Sequence, residues 1–215
     1  MNTATSTAAS SLATTEAPLP ATPSPPPFVE EHPAWRMPLS VYERIVKAGL
    51  LEDYRDVYLW KGRLCDRMGI NRPHIFGVNR IFRFLIGLCG DDYSPETEAP
   101  VAFRFDDSAP QPDVKVLRGR DRDHLDRMPT TADVALVVEV TDSTLPKDRA
   151  LIITYAIEEI PVYWLLNIAA RRMEVYAAPV AGVYTSVAFF DAGQDVPVIF
   201  DGRDVGSIPV ADLLP

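Results

Sequence analysis

Two acidic residues in mostly apolar surroundings are the first candidates for chemistry in this sequence. Glu139 lies within the stretch from Val134 to Val140, which is otherwise apolar and therefore predicts a strand buried on both faces. An ionised carboxylate in such a strand costs several kcal/mol unless it is paired, protonated or bound to a metal. Glu139 is therefore expected to face a cation, a network of hydrogen-bond donors or a cleft.

Asp113 raises the same question at the start of a second predicted strand. It follows Pro112 and begins the sequence DVKV. Two acidic residues at the ends of adjacent strands can hold a hard divalent ion through oxygen ligands. Asp113 and Glu139 are therefore candidate metal ligands.

Helices are predicted at three places around this pair. The segment PLSVYERIVKAGL predicts a short helix that Ser40 caps and Gly49 ends. Apolar residues at helical spacing in HIFGVNRIFRFLIGLCG predict an amphipathic helix. A third helix is expected from a cap at Ser143 or Thr144 to about Glu159. It is so apolar that we expect it to be buried between the sheet and another layer or subunit.

Strands are predicted on both sides of these helices. The segment VYLWKGRLCDRM has the pattern of a hairpin that turns at Lys61 and Gly62. Further strands are expected in VAFRF, DVKVL, VALVVEV, VYWLLNI, RMEVYAA, VYTSVAFF and the VPVIF region. This order of strands and helices predicts the α/β class, with a mixed central sheet flanked by helices.

Composition limits the number of domains and the classes of partner. The chain has 215 residues, of which 47% are hydrophobic, which is enough for one domain beside an N-terminal tail. Residues 1–36, rich in Pro, Ala, Ser and Thr, are expected to be a disordered tail, and residues 37–215 the folded domain. A net charge of -9 argues against non-specific binding to nucleic acid, while a local basic patch stays open. Since no signal peptide or membrane span is predicted, a cytoplasmic location is expected.

Several short motifs, taken in their order and spacing, resemble the Uma-two family of bacterial endonucleases, a branch of the PD-(D/E)XK nuclease superfamily. The landmarks are LSVYERIVKAGLL, the hairpin at Gly62, His74 at the start of the long helix, SAPQPDV, LVVEVTDSTL, DR followed by YA, and IPVYWLLN. The resemblance implies a restriction-endonuclease-like core. It also implies that Asp113 and Glu139 bind Mg²⁺, with Mn²⁺ as a substitute, and that the substrate is DNA.

Two positions depart from the family's pattern. Family members carry a Glu in the first hairpin strand, where this sequence has Tyr58. They also carry a Lys in the helix after DR, where this sequence is one residue shorter and has Leu151 or Ile152. In this superfamily the lysine orients the attacking water and helps to deprotonate it. An aliphatic residue there removes charge stabilisation that commonly contributes several kcal/mol to the barrier.

Lys115 is the candidate replacement for the missing lysine. It lies two residues after Asp113, so a regular strand would place both side chains on the same face. The alternative is that Lys115 pairs with a neighbouring carboxylate. His74 is expected either to touch a phosphate or ligand, or to cap the helix or hydrogen-bond in the core. Glu98 is either a third acidic group near the site or a solvated loop residue.

Two functions follow from these observations. The first is a Mg²⁺-dependent DNA endonuclease in which Asp113, Glu139 and Lys115 are catalytic and the first two hold the metal. The second is a catalytically inactive protein with the nuclease fold that serves as a binding or assembly module. The apolar third helix additionally predicts a homodimer.

Overall fold

The centre of the structure, which is a computed structural model, is a six-stranded mixed sheet. The structure describes residues 34–54, 56–67, 71–142 and 145–215, with residues 145–149 described by their backbone. The chain divides into two units, Met1–Trp35 and Arg36–Pro215. The tail expected at residues 1–36 lies almost entirely outside the described residues, and the second unit, Arg36–Pro215, contains the sheet.

Three α-helices and ten strands make up the described part of this unit. The helices are α1 (Leu39–Lys47), α2 (Arg72–Cys89) and α3 (Leu145–Ile157). The strands are β1 (Val57–Trp60), β2 (Arg63–Asp66), β3 (Tyr93–Thr97), β4 (Val114–Arg118), β5 (Val134–Thr141), β6 (Val162–Asn167), β7 (Arg172–Val180), β8 (Val183–Asp191), β9 (Asp195–Phe200) and β10 (Arg203–Pro209).

The large sheet has the strand order β3, β4, β5, β6, β7, β8. Strands β5 and β6 are parallel, and the other neighbouring pairs in this sheet are antiparallel. A parallel pair needs a crossover connection, which α3 provides between β5 and β6. The pairs β1 with β2 and β9 with β10 form two smaller sheets. The predicted α/β class with a mixed sheet is confirmed.

The two faces of the large sheet belong to different hydrophobic clusters. Val138 and Trp164 point into the cluster that includes α2, and we call this side the α2 face. Val137 and Tyr163 point into the cluster that includes α3, which we call the α3 face. Neighbouring residues of a strand alternate between the faces, as the pleat requires. Each strand in the middle of the sheet is therefore buried on both sides.

Helix α2 has the amphipathic character that its sequence predicts. Its buried stripe includes Val78, Ile81 and Leu85. The helix crosses the sheet at Gly77, where an added Cβ would lie 3.0 Å from Leu166 Cδ2 and 3.1 Å from Val140 Cγ1. The missing side chain lets α2 lie close to β5 and β6.

The predicted hairpin is also confirmed. Strands β1 and β2 pair antiparallel, with Trp60 opposite Arg63. The two residues between the strands, Lys61 and Gly62, have φ angles of 50° and 72°. Positive φ at both central positions is typical of the two-residue turns that match the twist of a hairpin.

The structure corrects one strand prediction and adds two strands that the sequence did not indicate. The described segment VAFRF is not a strand; Ala102 and Phe103 are buried and make isolated bridges to Thr130 and Ser108. The sheet edge is formed by β3 instead, which contains Pro95 and lacks a clear apolar alternation. Proline is tolerated there because one side of an edge strand makes no ladder hydrogen bonds. Strand β10 was also not predicted.

The end of α1 agrees better with prediction than its start. Pro38 occupies the N-cap position and no side chain caps the helix from there, so the predicted Ser40 cap is wrong. The backbone N–H of Leu39 donates instead to Asp107 Oδ1 at 2.8 Å. The helix ends at Lys47, and Gly49 follows with a φ of 71°.

Helix α3 is buried on one side rather than all round. Tyr155 and Ala156 are buried, whereas Ile153 is 60% exposed and Ile157 is 45% exposed. Of the two predicted alternatives, burial of α3 between the sheet and another layer of the domain is therefore wrong, while burial against another subunit stays a prediction. The predicted caps, Ser143 and Thr144, lie outside the described residues. No helix in the described part of the chain has the length and apolarity needed to cross a membrane.

Candidate active site

The structure brings Asp113 and Glu139 together at neighbouring positions of two paired strands. Asp113 directly precedes β4, Glu139 lies in β5, and Val114 pairs with Val138 in the antiparallel ladder. The backbone N–H of Asp113 donates to Glu139 Oε2 at 3.5 Å. The convergence expected from the sequence is therefore observed, while the roles of the two residues stay predictions.

Asp113 is held by donors at both of its oxygens. The residue is 4% exposed. Its Oδ1 atom accepts a hydrogen bond from Arg67 Nη2 at 2.6 Å and lies 3.1 Å from His74 Nε2. Its Oδ2 atom accepts from the backbone N–H of Val140 at 2.8 Å. The carboxylate is thus fixed in position by groups from outside its own strand.

Glu139 is oriented by a phenol. The Tyr155 hydroxyl, from α3, donates to Glu139 Oε1 at 2.7 Å. Burial, and next the negative charge of Asp113, raise the pKa of Glu139 well above its ordinary value, which the hydrogen bond from Tyr155 opposes. Burial also raises the pKa of Tyr155, so this residue is a neutral donor at physiological pH.

Arg67 links Asp113 to a second carboxylate. Its Nη1 atom lies 3.0 Å from Glu98 Oε1, while Nη2 contacts Asp113. The backbone of Arg67 is held by a 2.7 Å hydrogen bond from its N–H to the carbonyl of Asp56. Glu98 therefore lies near the site, as one of its two predicted alternatives proposed, but its contact is with the arginine.

His74 reaches the site from the first turn of α2. Asn71 is the N-cap of this helix, and its side chain accepts from the backbone N–H of His74 at 3.0 Å. The same side chain donates to Asp142 Oδ2 at 2.8 Å, just beyond β5. Asn71 thus ties the start of α2 to the end of β5, and this places the His74 ring against Asp113. No ligand or phosphate is needed to explain the position of His74.

Lys115 is paired away from the two carboxylates. Its Nζ atom lies 2.6 Å from Glu96 Oε2 and donates to the carbonyl of Ala99 at 2.9 Å. Glu96 is the direct cross-strand partner of Lys115 in β3. Burial lowers the pKa of Lys115, and the attraction of Glu96 opposes that shift. The alternative in which Lys115 pairs with a neighbouring carboxylate is what the structure shows.

Comparison with known proteins assigns this chain to a family. The sequence model of Uma2, described as "Putative restriction endonuclease", matches residues 62–205. The chain belongs to this family. The matched region contains Arg67, His74, Asp113 and Glu139, so the whole arrangement around Asp113 lies within it.

A solved structure supports the same fold. The chain is similar to the "crystal structure of a putative nuclease belonging to DUF820 from Anabaena variabilis ATCC 29413". The two share 14% sequence identity, with a TM-score of 0.56 over 73% of this chain and 88% of the other. The expected restriction-endonuclease-like core is thereby confirmed. The search of curated proteins found no match.

Of the two positions at which the resemblance implies other residues, Tyr58 lies near the site. Tyr58 is close enough to Glu139 and Arg67 for their charges to act on its phenol, whose pKa is raised chiefly by burial. Leu151 and Ile152, the candidates for the family's lysine position, pack against the hydrophobic cluster of the α3 face. A phenol and an aliphatic side chain therefore stand where the resemblance implies a carboxylate and an ammonium.

Sequence reasoning missed three of the groups that hold the two carboxylates. These are the Arg67 guanidinium, the Tyr155 hydroxyl and the N–H of Val140. Tyr155 had a signal, since it belongs to the YA landmark after DR. No local sequence pattern pointed to Arg67, because it lies 46 residues from Asp113 in the chain and the fold brings the hairpin to the main sheet.

The carboxylate oxygens of Asp113 and Glu139 are chemically suited to a divalent cation. Two convergent carboxylates offer the oxygen ligands that Mg²⁺ and Mn²⁺ prefer. The position beside Asp113 Oδ1 already attracts a positive group, Arg67. Within the described residues, no group of three or more His, Cys, Asp or Glu side chains is arranged to hold a metal ion. Asp113 and Glu139 are thus two candidate ligands.

Proposed function

We propose that this chain is a divalent-metal-dependent DNA endonuclease of reduced activity, acting in the cytoplasm. The observation that carries the proposal is the convergence of Asp113 and Glu139 at adjacent strands in a member of the Uma2 family. Asp113 and Glu139 would hold Mg²⁺ or Mn²⁺. When bound, a divalent ion would stabilise the negative charge that develops on a phosphodiester during hydrolysis. It would also lower the pKa of a water molecule bound to it.

The protein's own groups have the task of fixing these two ligands. The Val140 N–H and His74 orient the Asp113 carboxylate, and Tyr155 orients Glu139. Hydrolysis forms a bond between phosphorus and a water oxygen and breaks one bridging P–O bond. With Leu151 and Ile152 at the lysine position, no ammonium from that position assists the loss of the water's proton. This is why we propose a low rate.

Nicking of supercoiled plasmid in the presence of Mg²⁺ or Mn²⁺ tests the proposal. We expect slow cutting by the wild type and none by Glu139→Gln, whose neutral side chain keeps the shape of glutamate. Lys115→Ala decides whether Lys115 is catalytic. Loss of most of the rate in a folded variant would support that role, whereas an unchanged rate would leave Lys115 as a structural partner of Glu96.

A second candidate function is a nuclease-fold protein without hydrolytic activity, serving as a binding or assembly module. The contact between Arg67 and Asp113, together with the two replaced positions, favours it. If this function is correct, the wild type does not nick plasmid. Nicking appears when the carboxylate and the ammonium are restored by substitution. Tyr58→Glu combined with either Leu151→Lys or Ile152→Lys would nick plasmid with Mn²⁺. Robust metal-dependent cutting by the wild type, lost in Glu139→Gln, would contradict this second function.

We also propose that the chain forms a homodimer through the exposed side of α3. Ile153 and Ile157 are exposed on that helix, and Gly182 lies against Ile157, close to the exposed Val183 of β8. Exposed apolar side chains that lie close together are typical of interaction surfaces. Light scattering at tens of micromolar should give the mass of a dimer, and Ile153→Asp should give a monomer. A monomeric wild type would rule the dimer out.

A further inference from the structure

Arg67 occupies the oxygen of Asp113 that faces the site. Asp113 Oδ2 accepts from the backbone N–H of Val140, and Oδ1 also lies 3.1 Å from His74 Nε2. Arg67 Nη2 lies 2.6 Å from Oδ1, and the arginine side chain is only 18% exposed. A divalent ion that binds Asp113 through Oδ1 would therefore compete with the guanidinium for that atom.

The charge balance explains why a cation is held there. The Asp113 side chain is 5% exposed and adjoins a second carboxylate, Glu139. A buried carboxylate without a positive partner is strongly destabilising. A guanidinium stays charged at all physiological pH values and donates in a fixed, planar geometry, which suits this position. Arg67 thus supplies the positive charge that the pair of carboxylates requires.

Arg67 also has a second partner outside the pair. Glu98, whose side chain is 48% exposed, contacts Nη1 of the same guanidinium at 3.0 Å. The backbone of Arg67 is fixed by its hydrogen bond to Asp56. A guanidinium that leaves Asp113 therefore keeps a carboxylate partner at the mouth of the site, and its release from Oδ1 does not leave it unpaired.

We propose that Arg67 is a built-in counter-ion that competes with the divalent metal for Asp113 Oδ1 and thereby sets the metal affinity of the site. The inference rests on the proposed function, in which Asp113 and Glu139 hold the metal. It adds a regulatory contact to that site: metal binding requires the guanidinium to leave Oδ1. The affinity of the wild type for metal is low because the charge of Arg67 already offsets that of Asp113.

A titration of the full chain with Mn²⁺ tests this directly. The electron paramagnetic resonance signal of the free ion measures how much Mn²⁺ is bound. Arg67→Met removes the charge at similar length, and Arg67→Gln is a second neutral variant that keeps a donor for Asp113. Arg63→Met is the matched control, since Arg63 is an exposed arginine in the neighbouring strand β2. Circular dichroism and thermal melting establish which variants are folded.

The expected result is at least about tenfold tighter Mn²⁺ binding in the folded Arg67 variants, which corresponds to about 1.4 kcal/mol. Arg63→Met should bind as the wild type does, and Glu139→Gln added to an Arg67 variant should abolish the gain. Binding by the Arg67 variants alone, with a wild type that binds none, would support the proposal in its strongest form.

The contrary results separate this inference from the proposed function. A wild type that binds Mn²⁺ as tightly as the Arg67 variants, or more tightly, overturns the competition and leaves the metal site in place. An equal gain in Arg63→Met also overturns it, because the effect would then be one of overall charge. No binding in any variant removes both the competition and the metal from the proposed function.

Discussion

The two faces of the central sheet are both buried, but they are built from different chemistry. The α2 face is packed mainly by aliphatic and phenylalanine side chains around Trp164. On the α3 face, the ring of Tyr163 lies 5.1 Å from that of Tyr155 and 6.4 Å from that of Tyr184. Tyrosine combines a large apolar surface with a hydroxyl that can serve a buried acceptor. Glu139 can therefore point to this face and still be hydrogen-bonded.

The comparison assigns different tasks to the two faces. A predominantly apolar face contributes stability in proportion to the area that it buries and depends little on hydrogen-bond partners. A face with hydroxyls and carboxylates needs every buried polar group to be paired. We therefore expect substitutions on the α2 face to act through volume, and those on the α3 face to act through hydrogen bonds and pH.

The largest effect is predicted for Trp164→Ala on the α2 face. Trp164 is 1% exposed, and truncation of a buried aromatic side chain typically costs about 3 to 5 kcal/mol because a cavity remains. Urea denaturation of the two proteins measures this difference. Phe189→Ala is the control, since Phe189 is 52% exposed in the same sheet and should lower the free energy of unfolding by clearly less than Trp164→Ala does. Equal losses in both variants would contradict the prediction.

An intermediate effect, dependent on pH, is predicted for Glu158, which follows α3. Glu158 is 5% exposed and accepts from the backbone N–H of Phe105 at 3.2 Å. Burial raises the pKa of Glu158 from 4.5 to about 6. The folded state therefore binds the proton more tightly than the unfolded state, and the stability from this group is present below pH 4.5 and lost as the pH rises through about 6.

The substitution Glu158→Gln should remove that part of the pH dependence. The difference between the two pKa values corresponds to about 2 kcal/mol. Relative to the wild type, the variant should therefore gain about 2 kcal/mol between pH 4.5 and pH 7, as measured by urea denaturation at each pH. Glu159→Gln, at an exposed neighbour, should not change the pH profile. A constant difference between Glu158→Gln and the wild type at both pH values would show the prediction to be wrong.

The smallest effect is predicted for Tyr184→Phe on the α3 face. The Tyr184 hydroxyl donates to the carbonyl of Ile160 at 2.9 Å in a buried position. Loss of this hydrogen bond without loss of volume should cost about 1 kcal/mol, again measured by urea denaturation. Tyr54→Phe serves as the control because Tyr54 is 61% exposed. If Tyr184→Phe is as stable as the wild type, the hydroxyl makes no net contribution to this face.

The middle of the sheet and the carboxylate pair were predictable from the sequence because both depend on local patterns. A run of apolar residues interrupted by Glu139 identifies a buried strand, β5, with a polar group to explain. Pro112 and Asp113 mark the start of β4, its neighbour in the sheet. The edge strand β3 was not predictable in this way, because an edge with Pro95 has little apolar alternation. The VAFRF segment led to the opposite error, since burial of Val101, Ala102 and Phe103 in a loop gives the same apolar run as burial in a strand.

The partners of the carboxylates were harder to predict than the carboxylates themselves. Arg67 belongs to a small hairpin, and only the tertiary fold brings it to Asp113. The exposure of α3 was also hidden from the sequence, because an apolar residue such as Ile153 looks the same whether a neighbouring layer covers it or not.

The close crossing of α2 over the sheet at Gly77 has a consequence for distant substitutions. Val140, which lies against Gly77 at the crossing, donates its backbone N–H to Asp113. His74, which contacts Asp113, lies one helical turn before Gly77. The absence of one methyl group thus sets the height of the helix above the strand that carries the site. A larger residue at position 77 would lift the helix and draw the His74 ring away from its acceptor. It would change the site by distance alone, without touching either carboxylate.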